Sequence, residues 1–158
     1  MDSKSQRQIQ QAELWRQAKG LGGFQNPTGF GKTYQTINYI CAPMLVKNPV
    51  TFFIVVVHSV ALKKQWTEEI AKFLPNNTGN FNVATVQAIY TRGIKLQCTC
   101  LIIDELDEFF GQERRKVWDD RLIDFKFLCW LSATPQDRHG RHVSFMERYP
   151  CLDVVTVS

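Results

Sequence analysis

Three short clusters hold the side chains that could do chemistry. The first is Thr28-Gly29-Phe30-Gly31-Lys32-Thr33, between a short apolar segment and a helical pattern. Glycines let a backbone fold tightly enough for successive N–H groups to point at one phosphate. The start of a helix adds its partial positive charge. Lys32 would then reach the β- and γ-phosphates of a nucleotide, and the Thr33 hydroxyl would ligate Mg²⁺. The strict GxxxxGK[ST] pattern asks for Gly at position 26, where this chain has Asn26. The second cluster is Leu101-Ile102-Ile103-Asp104-Glu105, an apolar strand ending in adjacent carboxylates. Such a strand holds Asp104 near Mg²⁺ and lets Glu105 polarise an attacking water. The third, Leu131-Ser132-Ala133-Thr134-Pro135, closes another apolar strand with small polar residues. Each cluster has a plain alternative: a Gly-rich turn with a surface lysine, or an ordinary strand end with solvated acids. Lys32 and Asp104 come in the right order, about seventy residues apart, and together they point to a nucleoside-triphosphate site.

These clusters need a frame that brings strand ends together. Ser5 to Lys19 reads as a helix, ended by Gly20-Leu21-Gly22-Gly23, with a short segment from Gly23 to Asn26 entering the glycine loop. Lys32 to Ile40 reads as the helix leaving it. Val50 to Val57 is apolar without alternation, the signature of a strand buried on both faces. Leu62, Trp66, Ile70 and Phe73 then form the stripe of an amphipathic helix over Ser59 to Phe73, with Trp66 a core residue. Phe81–Val86, Thr99–Ile103, Phe127–Leu131 and Leu152–Val157 read as strands, and Gln87–Tyr90, Glu113–Leu122 and Ser144–Tyr149 as helices or helical turns. Strands alternating with helices imply right-handed crossovers and a mainly parallel α/β sheet covered on both faces. Ligands of such sheets gather beyond the carboxyl ends of the strands, which is where the three clusters fall.

Length and composition fit this frame. The 158 residues suit one domain, 1–158, and their 44% hydrophobic and 22% charged content is ordinary globular usage. The apolar runs are far shorter than the ~20 residues of a membrane-spanning helix, so no membrane role is expected. The polar start, MDSKSQRQIQQAE, does not look like a secretory signal. Five cysteines without a CxxC pair suit a reducing compartment, cytoplasmic or nuclear, better than a disulfide framework. A zinc site from Cys98, Cys100, Cys129 and His139 can be drawn, but its spacing matches no finger or ribbon. The net charge of +4 is uneven: residues 1–79 carry nine Lys/Arg against four Asp/Glu, and residues 80–158 ten against eleven. A basic half suits a polyanion, though basic faces are often only solvated surface.

The chain resembles the superfamily 2 helicases and translocases over about residues 7 to 157. NPTGFGKT resembles their motif I, Asp104-Glu105-Leu106-Asp107 their motif II in a DExD form, and SAT-Pro their motif III. Val57-His58-Ser59-Val60-Ala61-Leu62-Lys63-Lys64-Gln65-Trp66 resembles motif Ia, and Thr85-Val86-Gln87 the next element that grips the nucleic-acid backbone. Arg7-Gln8-Ile9-Gln10 resembles the upstream element whose glutamine reads adenine, with Gln10 as the expected contact and Gln8 as the alternative. Pro135-Gln136-Asp137-Arg138-His139-Gly140-Arg141 points to the branch that holds type III restriction motors, phage recombination helicases and repair-type translocases.

The resemblance implies a RecA-like first lobe with sheet order 5-1-4-3-2, the SAT strand lying between the glycine-loop strand and the DELD strand. It implies ATP as substrate, held by Gln10 and by Thr28, Gly29, Phe30, Gly31, Lys32 and Thr33. Mg²⁺ would sit on Thr33 and Asp104, with Glu105 as general base. Asp107, Ser132, Ala133 and Thr134 would couple the site to nucleic acid, and Ser59, Thr85 and Gln87 would hold its backbone. DNA is the expected partner, with RNA possible. Asn26, Phe30 and His58 depart from the family's usual residues, and Phe30 places a bulky ring in the phosphate loop, but no phosphate or metal ligand is lost. The family's second RecA-like lobe, with its transition-state arginine, is not among these residues. The chain is expected to need that lobe, or a partner supplying it, for efficient hydrolysis. The alternative is a non-hydrolysing interaction or nucleic-acid-binding module that keeps the fold. A small nucleotide kinase or GTPase explains neither the SAT strand nor the motif Ia match.

Overall fold

Asp2 starts the first helix: its carboxylate accepts the Ser5 N–H at 2.7 Å and caps α1, Ser3–Gln17. The computed structural model describes residues 2–110, 115–133 and 143–156. α1 ends where Lys19 and Gly20 turn to positive φ, two residues before the helix expected from the sequence. β1 follows as Leu21–Gln25, starting two residues before the segment expected from Gly23, so that Gly22, expected only to stop the helix, lies inside the strand. After the glycine loop, α2 (Lys32–Gln35) runs into a π-helical stretch, Thr36–Cys41, and then α3, Ala42–Lys47. The helix expected to end at Ile40 is therefore longer. The Thr36 hydroxyl donates back to the Lys32 carbonyl at 2.8 Å, a bond that competes with the regular ladder where the widened turn starts.

β2 is Phe53–Val57, buried throughout. It starts later than the apolar run because Val50 is exposed in a turn that Asn48 closes onto Thr51. Ser59 caps α4, Val60–Phe73, by accepting the Leu62 N–H at 3.2 Å. A 3₁₀ stretch, Pro75–Asn80, leads to β3, Phe81–Thr85, and Thr85 caps α5, Val86–Arg92, in the same way. β4 (Leu96–Gln97) pairs in parallel with β6 (Ile123–Asp124) as a small separate ladder. Between them come β5 (Cys100–Ile103), α6 (Leu106–Phe109) and α7 (Lys116–Asp119). α6 was not expected from the sequence. Of the helix expected over Glu113–Leu122, α7 is the α-helical part among the described residues, and Glu113 and Arg114 lie outside them. β7 (Phe127–Ser132), α8 (Val143–Arg148) and β8 (Cys151–Val154) complete the order.

Among the described residues the main sheet runs β3-β2-β5-β7-β1-β8, with every neighbouring pair parallel. Read from β8 to β2, this is the 5-1-4-3-2 order the resemblance implies, and β3 extends its edge. The SAT strand β7 lies between β1 and β5, as expected. Alternate strand residues feed two cores. Phe53, Val55, Cys100 and Ile102 face α1 to α4 with Trp15, Ile37, Ile40, Trp66 and Ile70. Ile54, Val56, Leu101 and Ile103 face an aromatic layer that includes Phe109, Phe110, Phe145 and Tyr149. All five cysteines are free thiols. No group of His, Cys, Asp or Glu suited to a metal ion is found among the described residues, and the His139 of the drawn zinc set lies outside them. No described helix is long and apolar enough to cross a membrane.

Candidate nucleotide site

The carboxyl ends of β1, β2 and β5 open into one cavity of about 590 Å³, lined by Thr28, Gly29, Gly31, Lys32, Thr33, His58, Ser59, Asp104 and Glu105, among others. Its phosphate-loop wall has the backbone expected of it. Gly29 and Gly31 have φ of +87° and +85°, a region costly for residues with a β-carbon. A β-carbon on Gly29 would meet nothing within 4 Å, whereas one on Gly31 would lie 2.9 Å from the Gln8 amide nitrogen. The loop is open toward the cavity at Gly29 and backed by protein at Gly31.

The backing is a set of buried amides. Gln8 donates to the carbonyl of Phe30 at 2.9 Å. Gln35, on α2, donates to the Gln8 carbonyl at 3.2 Å and to Gln11 Oε1 at 2.8 Å. Gln11 and Asn26 exchange two hydrogen bonds, at 2.7 and 3.0 Å. Gln11 also donates to Asp153 on β8 at 3.0 Å. Arg7 closes the outer edge with two bonds to Asp153, at 2.7 and 2.9 Å. Asn26 is thus a structural amide at the end of β1, and its departure from the usual motif leaves the cavity untouched. Phe30 is buried against the α1 side of the loop, in a neighbouring cavity with Ser3, Lys4, Arg7 and Pro27, and does not line the phosphate cavity. Gln10 is exposed on α1, while Gln8, the alternative, is buried on the loop.

The opposite wall is the end of β5. The Asp104 N–H donates to the Val56 carbonyl at 3.0 Å, which fixes its main chain to β2. The residue is 7% exposed, and Oδ2 accepts the indole N–H of Trp66 at 2.9 Å. Burial holds the Asp104 carboxyl above its ordinary range, against the pull of the Trp66 hydrogen bond and the nearby Lys32 ammonium. Glu105 has φ of +58°, unusual for a non-glycine residue. Its Oε1 meets Lys32 Nζ at 2.7 Å, so an ion pair crosses the cavity from one wall to the other. Strain held at one residue in this way is a mark of functional sites.

The donor set suits Mg²⁺, a hard cation that takes oxygen ligands. The Thr33 hydroxyl and the Asp104 carboxylate both line the cavity. Trp66 occupies Oδ2, and no described residue donates a hydrogen bond to Oδ1. The sequence missed Trp66 as a member of this site because its stripe spacing described only a core position.

The remaining expected residues fall around this centre. Ser59 and Thr85 lie at the carboxyl ends of β2 and β3, where both hydroxyls cap helices. Gln87 is exposed on α5 and donates to Thr91 at 3.2 Å. Asp107 lies in the first turn of α6. Ser132 is buried at the end of β7, its carbonyl accepting the Asn26 N–H at 2.9 Å, and Ala133 follows it. Thr134 and the segment Pro135 to Arg141 lie outside the described residues.

The sequence model of the family described as type III restriction enzyme, res subunit, matches residues 3–137. Comparison with curated proteins gives no match. Among solved structures, the SWI2/SNF2 ATPase core of Sulfolobus solfataricus in complex with dsDNA is similar, with a TM-score of 0.69 at 20% identity over 91% of this chain and 35% of that one. The Hef helicase domain of Pyrococcus furiosus gives 0.66 at 18% identity over 92% and 36%. The Sulfolobus core domain in a second structure gives 0.68 at 20% identity over 89% and 32%. These likenesses carry the fold, and this chain spans about a third of the length of each.

Proposed function

Because the chain belongs to the type III restriction enzyme, res subunit family and has the fold of a first RecA-like helicase lobe, we propose that it binds Mg·ATP and the backbone of DNA as half of an ATP-driven motor. The observation that carries the reading is the convergence of Lys32, Thr33, Asp104 and Glu105 on one cavity, with Lys32 and Glu105 paired at 2.7 Å. A lone ion pair between a loop lysine and a strand-end glutamate has no structural need of a neighbouring buried aspartate.

The chain's own residues divide the work as follows. Backbone N–H groups from Gly29 to Thr33 and the start of α2 receive the phosphates. The Lys32 ammonium leaves Glu105 for the β- and γ-phosphates. That exchange of partners frees the Glu105 carboxylate to accept a proton from the attacking water at Oε1 or Oε2. Thr33 and Asp104 hold Mg²⁺, which supplies charge neutralisation at the phosphates when bound. The base would be read from α1, by Gln8, which is bonded to the loop, or by the exposed Gln10. The helix starts at Ser59 and Thr85 hold one strand by its phosphates, without reading sequence, and Asp107, Ser132, Ala133 and Thr134 link them to the nucleotide. A second lobe contributes the charge-stabilising arginine, an effect of about 10³–10⁵ in rate.

The test is turnover and salt dependence together. The pure chain is expected to hydrolyse ATP negligibly and to bind duplex DNA with an affinity that falls steeply as salt rises. Substantial turnover that Lys32→Ala removes would contradict the need for a second lobe. DNA affinity that is flat in salt would contradict the phosphate contacts.

A further inference from the structure

We propose that Trp66 is a positioning residue for the divalent cation of this site. The proposal rests on the reading of Asp104 as a metal ligand. Trp66 lies on α4, about two turns beyond the Ser59 cap, and is fully buried. Its Nε1–H donates to Asp104 Oδ2 at 2.9 Å across 38 residues of sequence.

Three features separate this contact from ordinary core packing. First, the chain's other hydrogen-bonded buried indoles serve the main chain: Trp15 donates to the Leu128 carbonyl at 3.0 Å and Trp130 to the Tyr149 carbonyl at 2.8 Å. Trp66 gives its N–H to the carboxylate at the end of β5. Second, Asp104 has its main chain fixed by β2, but the terminal torsion of a carboxylate is soft and nearly two-fold. Among the described residues the indole is the one side chain that hydrogen-bonds it, because Lys32 goes to Glu105. Third, an indole N–H donates and never accepts. It therefore takes one oxygen of the carboxylate and leaves the other for a cation, in a fixed plane. Hydrogen-bond partners behind metal ligands commonly matter about 10–100-fold in metal affinity.

The experiment is calorimetric titration of ATP into the full chain, with Mg²⁺ and with EDTA, for wild type, Trp66→Phe, Asp104→Asn and the double variant. Trp66→Phe is expected to weaken Mg·ATP binding about 10–100-fold and to leave metal-free ATP binding unchanged. In the Asp104→Asn background it is expected to add no further loss. Equal losses with and without metal, or additive losses in the double variant, would overturn the proposal and return Trp66 to a packing role. Wild-type binding that is indifferent to Mg²⁺ would overturn the metal reading of Asp104 as well, a different result from Mg²⁺ dependence that survives in Trp66→Phe. Should Trp66→Phe fail to fold, 3-benzothienyl-alanine at position 66 keeps the ring shape without the N–H, and the same two titrations decide.

Discussion

On one side of the cavity the phosphate loop leans on Gln8, Gln11, Asn26 and Gln35, uncharged amides wholly inside the protein. On the other, Asp104 and Glu105 lean on one indole and one ammonium. The amide wall is satisfied within itself, so it can hold a loop in shape with nothing bound. The carboxylate wall is satisfied only in part: one oxygen of Asp104 is without a described donor, and Glu105 Oε1 is paired with the mobile-stemmed Lys32 ammonium. Rigidity and reactivity are thereby kept apart. Changes behind the loop should unfold the lobe, while changes at the end of β5 should spare or even strengthen the fold and spoil binding.

The largest effect is expected at Gln11, the hub of the amide wall. Gln11→Leu strands Asn26 Oδ1 and takes one acceptor each from Asn26 Nδ2, which keeps Gln35 Oε1 at 3.4 Å, and Gln35 Nε2, with a cost of about 3 kcal/mol read from urea unfolding. A loss under about 0.5 kcal/mol, the range of ordinary surface changes, would mean that the amides do not act as a unit. Next comes the pair Gln8 and Gln10. Gln8→Ala removes the bond to Phe30 and is expected to weaken ATP binding about tenfold, the worth of one such bond, while Gln10→Ala changes it less than about twofold. The reverse ranking would move the base contact to Gln10.

The third effect has the opposite sign. With its folded pKa above the ordinary 3.8, Asp104 favours the fold most below that value and loses the contribution as pH rises through its raised pKa. Asp104→Asn is therefore expected to melt higher than wild type at pH 7, by about 2–4 °C for each kcal/mol released, with the gap closing toward acid. A lower Tm at pH 7 would show that the ionised form is welcome. The smallest effect lies at the rim of the amide wall. Arg7 holds Asp153 below its ordinary 3.8, so that contribution is present above 3.8 and is lost as pH falls through the lowered value. Arg7 is 42% exposed, and Arg7→Ala is expected to cost about 1 kcal/mol or less, seen as a shallower acid limb of Tm against pH.

The sequence was most legible where a signal is local. The stripe of Leu62, Trp66, Ile70 and Phe73 predicts α4 almost to its ends, and Ser59 caps it. The glycine loop predicts its own place because few residue types permit the backbones of Gly29 and Gly31, and the DELD strand because its apolar run is buried. What could not be read is long-range. The bond from Trp66 to Asp104 spans 38 residues, and a stripe spacing cannot say where an indole N–H points. Asn26 looked like a defect in a phosphate motif because its partners, Gln11 and Gln35, come from two other elements. α6 starts at a left-handed Glu105, a conformation that no propensity favours. The Thr134 role and the loop from Pro135 lie outside the described residues, so their readings stand as proposals from resemblance.

Lys32 and the two carboxylates after β5 are proposed to form one Mg·ATP site. The most direct test is calorimetric binding of ATP with Mg²⁺ to the pure chain and to Lys32→Ala. The expected result is saturable binding that requires Mg²⁺ and falls at least about 100-fold in the variant, the scale of losing a charge-assisted contact. Binding of equal strength in both proteins, or none in either, would contradict the claim and favour a module that keeps the lobe's fold without using its nucleotide cavity.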